Sequence, residues 1–246
     1  MSELSGGGRA PELRRSGLKR VGHKGAHHVA PGNTIESFEA ALEHDVDMIE
    51  FDVLRLRDGR IVLAHDLEDA SEREPLSLAE GLDHFAGDAY AGVELDVDLK
   101  LPGYEGEVVD GLLERGLGAR SLVSTQYTDS LAELGRLAPG LRRGWSVPRV
   151  RRDYTRGPLA VPARGLARLL RARLPAQAAR ALAEGRCEAV MAHWLLVSER
   201  LARAVRAAGG ELYVWTVDDP RRLAELERLG VDGVITNDPR LFEALR

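Results

Sequence analysis

Ile49-Glu50-Phe51-Asp52-Val53 alternates apolar and acidic side chains, the pattern of a short strand with both carboxylates on one face. Val21-Gly22-His23-Lys24-Gly25 and Leu63-Ala64-His65-Asp66 follow a similar plan, an apolar run with polar residues at or near its C-terminal end. Two carboxylates aimed together from a buried strand repel each other and lose hydration, so they require a cation or a donor network. A structural role explains that cost poorly, and a catalytic role explains it well.

Outward from this strand, apolar runs at 19–23, 48–53, 61–65, 92–99, 121–125, 141–146, 187–192, 211–216 and 232–236 read as strands. Amphipathic stretches at 34–44, 77–86, 105–116, 128–138, 163–184, 197–208 and 220–229 read as helices between them. Asn33 or Thr34 is suited to cap the first helix, and Asp219-Pro220 to open the last full one. The alternation predicts an α/β fold of parallel units closing into a (β/α)8 TIM barrel. Nine strand candidates exceed eight, so one must lie outside the barrel. The interval from Asp52 to Ile61 is too short for a helix and is expected to turn at Asp58-Gly59 and run back extended. The barrel is therefore irregular between its second and third strands. No Gly-rich strand-to-helix fingerprint supports an open doubly wound sheet. A barrel gathers the C-terminal ends of its strands at one mouth, where His23, Glu50, Asp52 and His65 are expected to meet.

The fourth strand, Val93-Glu94-Leu95-Asp96-Val97-Asp98-Leu99-Lys100, puts Glu94, Asp96, Asp98 and Lys100 on one face. Each two-residue step advances roughly 6.6 Å. With Lys100 at the mouth, Asp98 lies just beneath, Asp96 deeper, and Glu94 toward the opposite end. Asp98, with or without Asp96, is then the member able to join Glu50 and Asp52 around one ion.

Bulk properties narrow the partners. The chain has 246 residues, with 34 Lys plus Arg against 39 Asp plus Glu, a net charge of −5. No nucleic-acid-like charge excess is present. A single cysteine, Cys187, excludes an internal disulfide, fits a reducing compartment and reads as a core thiol. No run approaches the roughly 18 apolar residues of a membrane span. Residues 1–17 carry Gly6-Gly7-Gly8 and no apolar segment, so a disordered tail is expected before one domain over 18–246, in a cytoplasmic protein. The stretch 142–180 holds eleven arginines and one acidic residue, Asp153. It reads either as an outer barrel helix whose arginine stems cover apolar surface or as a basic helix in peripheral contact with anionic membrane, the former preferred.

In order and spacing, the motifs resemble the glycerophosphodiester phosphodiesterase family. The resemblance rests on His23-Lys24-Gly25, Pro31-Gly32-Asn33-Thr34, Glu50-Phe51-Asp52, His65-Asp66 and Asp98-Leu99-Lys100. Trp215-Thr216-Val217-Asp218, Gly230-Val231-Asp232-Gly233 and Thr236-Asn237-Asp238-Pro239 continue it toward the C-terminus. Lys24 replaces the family's arginine, Gly32 a glutamate, and Asp98 a glutamate ligand. The resemblance implies metal-dependent hydrolysis of a glycerophosphodiester on a TIM barrel. Glu50, Asp52 and Asp98 form a hard, all-oxygen set suited to one divalent cation, Mg²⁺ or Ca²⁺. His23 and His65 are the expected acid/base pair, with the assignment within the pair open. Lys24 and Lys100 are expected at the phosphate, and Trp215, Tyr127 and Gln126 at the rest of the substrate. Two other readings stay open: a phospholipase D-type enzyme acting on lysophospholipids or sphingolipids, and a non-catalytic phosphate- or lipid-binding barrel. Oligomeric state is not encoded in these motifs.

Overall fold

The computed structural model describes residues 17–149 and 160–245. Nine strands occur in the order β1 (Lys19–His23), β2 (Met48–Arg55), β3 (Ile61–Val62), β4 (Glu94–Leu99), β5 (Ser121–Thr125), β6 (Arg142–Val147), β7 (Ala189–His193), β8 (Glu211–Trp215) and β9 (Gly233–Thr236). All but β3 pair in parallel around a ring, β1-β2-β4-β5-β6-β7-β8-β9, and β9 returns to β1. This is the closed eight-stranded TIM barrel expected from the alternation.

The surplus strand is the third. β3 pairs antiparallel with the end of β2, Leu54 opposite Val62 and Arg55 opposite Ile61. The turn passes through Gly59 at φ +92°, a conformation that suits a residue without Cβ. Leu54, Val62 and Ala64, with Leu56 and Ala70, form the small apolar cluster that seats this hairpin. His65 therefore does not end a barrel strand, as 61–65 had suggested; it reaches the mouth on a loop from the hairpin.

The helices are α1 (Ile35–Glu43), α2 (Asp69–Glu72), α3 (Leu78–Phe85), α4 (Glu105–Glu114), α5 (Thr128–Leu137), α6 (Ala160–Ala183), α7 (Glu199–Ala207) and α8 (Pro220–Leu229). Alternation in the strands divides the core into two layers. Ile49, Phe51, Val53, Leu95 and Val97 face outward onto Phe38, Leu82, Phe85 and Val108 of the helices. Phe51 stacks on Phe85 with ring centroids 5.0 Å apart. Val21, Met48, Leu122, Met191, Tyr213 and Ile235 fill the barrel interior. Below that plug, Glu94 binds Lys19 (2.8 Å) and Arg142 (2.7 Å), and Arg142 also pairs with Glu211.

α6 packs as an outer helix through Leu174, Ala178, Ala181 and Leu182, with Arg168, Arg171 and Arg173 exposed. Arg143 and Arg180 pair with Glu188 and Glu184. The preferred reading of this stretch, an outer helix, agrees with that packing. The expected tail (but for Gly17) and the middle of the arginine-rich stretch, 150–159, lie outside the described residues. Among the described residues no helix is long and apolar enough to cross a membrane.

Candidate active site

Register brings the acidic residues together. β2 and β4 align Glu50 with Asp96 and Asp52 with Asp98. These side chains point inward because their neighbours, Phe51 and Val97, point into the helix layer. Glu50, Asp52 and Asp98 each place one carboxylate oxygen within 4.8 Å of the others. That separation suits ligands arranged around a cation with metal–oxygen distances of about 2.4 Å. Asp96 lies two residues below Asp98, the depth the strand arithmetic anticipated, and falls outside this trio, a membership the sequence had left open.

The trio sits in a frame of donors. Lys100 pairs with both Asp52 and Asp98. Lys24 Nζ stands 3.5 Å from Asp52 Oδ2. Asn33 clasps Asp52 twice: its Nδ2 donates to Oδ2 (2.9 Å), and its Oδ1 accepts from the Asp52 backbone N–H (3.0 Å). The Lys24 backbone N–H donates to Glu50 Oε2 at 2.8 Å. Both Lys24 (φ +54°) and Asn33 (φ +59°) adopt left-handed backbone, so the loop after β1 is tightly bent where it meets the trio. Gly25 follows at φ +85°, and a Cβ there would fall 2.5 Å from Ser37 O.

Electrostatics follow from burial. Glu50 is held well above the usual carboxylate range by desolvation and then by the charge of Asp52. Burial works against ionisation of Asp52 too, but Lys100 and Lys24 overcome it and hold this carboxyl well below its ordinary value. Burial likewise opposes the Lys100 charge, and Asp52 and Asp98 more than restore it. Desolvation and Asp98 push Asp96 to about 8. Asp98 Oδ1 is buried without a hydrogen-bond partner. The upward push on the Glu50 carboxyl and the orphaned Asp98 oxygen both mark a site short of positive charge, and the all-oxygen donor set fits a hard divalent cation.

His23 ends β1 with Nδ1 2.6 Å from Asn237 Oδ1 and Nε2 3.8 Å from Glu50 Oε2. Burial, reinforced by Lys24, lowers it to about 3. His65 is half exposed; its Nδ1 stands 3.1 Å from Asp66 Oδ2, and its backbone N–H donates to Asp69 Oδ2 at 2.8 Å. It lies close enough for its charge to act on Asp52. Trp215 ends β8, packs on the inner cluster and donates from Nε1 to Met191 O (2.9 Å). His193 stands edge-on to it at 5.1 Å. Gln126 and Tyr127 follow β5 on the same rim without bonding to the trio, and Arg149 lies over the Tyr127 ring at 4.4 Å.

The structure thus joins His23, Lys24, Glu50, Asp52, Asp98 and Lys100 directly and leaves Trp215, Gln126 and Tyr127 at the rim. Three further residues bond into this cluster: Asn33 to Asp52, Asn237 to His23, and Asp218 to Asn237. Asn33 had been read as a candidate helix cap, a role Thr34 fills by accepting from Ser37 N. Asn237 and Asp218 had appeared only within motif stretches. The motifs Pro31-Gly32-Asn33-Thr34 and Thr236-Asn237-Asp238-Pro239 were the signal for Asn33 and Asn237.

Comparison with known proteins agrees with this fold. A glycerophosphodiester phosphodiesterase of Caldanaerobacter subterraneus subsp. tengcongensis is 25% identical over 89% of this chain and 93% of its own length. One from Arabidopsis thaliana is 29% identical over 91% of this chain and 71% of its own length. Among solved structures, a putative glycerophosphoryl diester phosphodiesterase from Silicibacter pomeroyi superposes with a TM-score of 0.71 at 21% identity, covering 93% of this chain and 94% of its own. A phosphodiesterase from Oleispira antarctica, solved with the product sn-glycerol-3-phosphate, has a TM-score of 0.67 at 20% identity, covering 92% of this chain and 96% of its own. These two likenesses establish the fold. The profile of the glycerophosphoryl diester phosphodiesterase family matches residues 23–76 and 142–241, which carry both histidines and two of the three clustered carboxylates, and the chain belongs to that family.

Proposed function

We propose that the chain hydrolyses glycerophosphodiesters to glycerol phosphate and an alcohol, with one divalent cation, Mg²⁺ or Ca²⁺, held by Glu50, Asp52 and Asp98. The observation that carries this reading is the meeting of three carboxylates, two lysines and His23 at one barrel mouth, with His65 alongside. When bound there, a hard cation polarises a phosphoryl oxygen and helps position the attacking oxygen.

The remaining chemistry falls to the chain's own residues. His23 has Nδ1 engaged by Asn237, and burial with Lys24 keeps it neutral near pH 7, so its Nε2 is suited to accept a proton. His65, half exposed with Nδ1 beside Asp66, is the imidazole left to protonate a leaving alkoxide. His23 is therefore assigned as base and His65 as acid. Lys24 and Lys100 supply positive charge near the phosphoryl oxygens. Trp215, Tyr127 and Gln126 line the rim available to the alcohol portion.

The test is a chelated preparation assayed with glycerophosphocholine and with lysophosphatidylcholine as metal is added back, with products identified. Turnover of the first to glycerol phosphate should appear with metal and fall by roughly 10²–10⁴-fold in both His23→Ala and His65→Ala. Full activity in both variants, or turnover indifferent to chelation, overturns the reading. Preferential cleavage of lysophosphatidylcholine would replace it with the phospholipase D-type activity.

A further inference from the structure

We propose that Asp218 and Asn237 are positioning residues that fix the tautomer of His23, an inference that rests on the hydrolytic reading only for its catalytic consequence. Asp218 lies in the loop after β8, and Asn237 directly follows β9. Asp218 Oδ1 accepts from the Asn237 backbone N–H (2.8 Å) and from Thr236 Oγ1 (3.0 Å). Its Oδ2 accepts from Asn237 Nδ2 at 2.7 Å. Asn237 Oδ1 then reaches His23 Nδ1 at 2.6 Å. Two backbone bonds hold these loops in place: Val217 N donates to Ile235 O (3.0 Å), and His28 N donates to Asn237 O (2.9 Å).

The chemistry of donors and acceptors leaves one consistent arrangement. A carboxylate has no hydrogen to give, so the Asn237 amide must turn its NH₂ toward Asp218 and its oxygen toward His23. An amide oxygen only accepts, so the proton of the neutral imidazole resides on Nδ1. The lone pair is then on Nε2, the nitrogen facing Glu50 and the carboxylate trio. Asp218, although exposed, thereby determines which nitrogen of a residue 195 positions away in the chain is basic. The opposite tautomer would present an N–H to the site, and such a nitrogen cannot accept a proton.

The logic predicts that exchanging the two side-chain types restores what a single change destroys. In Asp218→Asn, the new amide oxygen keeps the bonds from Asn237 N and Thr236, and its NH₂ faces the Asn237 side chain. Asn237 then flips, offers NH₂ to His23 Nδ1, and drives the imidazole proton to Nε2. In the double variant Asp218→Asn/Asn237→Asp, the carboxylate at 237 accepts from both neighbours and returns the proton to Nδ1.

The experiment is ¹⁵N NMR of the full chain labelled on histidine, with His23 signals assigned by their loss in His23→Gln. Wild type should show protonated Nδ1 and unprotonated Nε2, Asp218→Asn the reverse, and the double variant the wild-type pattern. With glycerophosphocholine as substrate, kcat should fall about 100-fold in the single variant with KM within about twofold, and recover in the double. Protonated Nε2 in the wild type overturns the proposal, whether or not the variants fold. So does an unchanged tautomer in Asp218→Asn, or an unrestored one in the double variant. If wild type hydrolyses no glycerophosphodiester, the functional reading fails while the NMR still decides the relay.

Discussion

Asp98 is one methylene shorter than the glutamate that the family pattern places at this position. It nevertheless reaches the other two carboxylates, because β4 stays in register with β2 to its last residue, Leu99, which aligns with Val53. Cation affinity should then depend on the charge at this position. Asp98→Asn is expected to weaken binding of Mg²⁺ and Ca²⁺ by at least about tenfold, with Asp98→Glu closer to wild type, as calorimetric titration would read. Equal affinity in Asp98→Asn would remove Asp98 from the ligand set. Asp52 and Asp98 were legible in the sequence because two-residue spacing on a strand maps directly onto one face. Asn33 and Asn237 stood out only as members of motif stretches, and their contacts were not legible, since these depend on a left-handed backbone at Asn33 and on a pairing between residues 214 positions apart. No local pattern encodes either contact.

At the level of elements, the strand that carries Glu50 and Asp52 is backed by α3. Phe85 of α3 stacks on Phe51, and Phe38 of α1 stands 4.6 Å from Phe85. α3 begins with a capping box: the Ser77 side chain accepts from Glu80 N, and Glu80 accepts from the Ser77 backbone. Ser77→Ala should cost about 1 kcal/mol and lower the melting midpoint by about 2–4 °C, with cation affinity unchanged. A melt equal to wild type would show that tertiary packing alone holds the helix start. The caps at Thr34 and Asp219 were readable from the chain, because a capping side chain acts within three residues. The strand expected at 61–65 was less so. Leu63-Ala64 is apolar enough to extend it, yet Asp66 Oδ1 accepts from both Glu68 N and Asp69 N, which bends the chain into α2. The polar turn prevails over the apolar run, and His65 is left on the loop where the Asp66 side chain can orient it.

Across the whole molecule, one strand carries the two charged ends of the barrel. Glu94 and Asp98 lie four residues apart on β4, about 13 Å along the strand. The apolar plug of Met48, Leu122, Met191 and Tyr213 lies between them. At the mouth the carboxylates are gathered for a cation. At the opposite end Lys19 of β1, Glu94 of β4, Arg142 of β6 and Glu211 of β8 bond across the barrel and satisfy one another. Partial burial works against the Glu94 charge, but hydrogen bonds from Lys19 and Arg142 outweigh it and hold the carboxyl below its ordinary value. A carboxyl depressed in the folded state stabilises fully above its unfolded pKa, about 4.5, and loses that contribution as pH falls through the lower folded value. Glu94→Gln should therefore cost about 1–2 kcal/mol at pH 7, a figure reduced for solvent screening of a partly buried group. The gap between variant and wild type should shrink as pH falls below 4.5 and close once pH passes the lower folded value, where wild type has lost the same charge. Denaturant unfolding at pH 7 and in steps below pH 5, with calorimetric cation titration at pH 7, separates the two ends. A constant gap at all pH values would place the stabilisation in packing instead of charge, and a change in cation affinity would show that the plug does not insulate the mouth from the base.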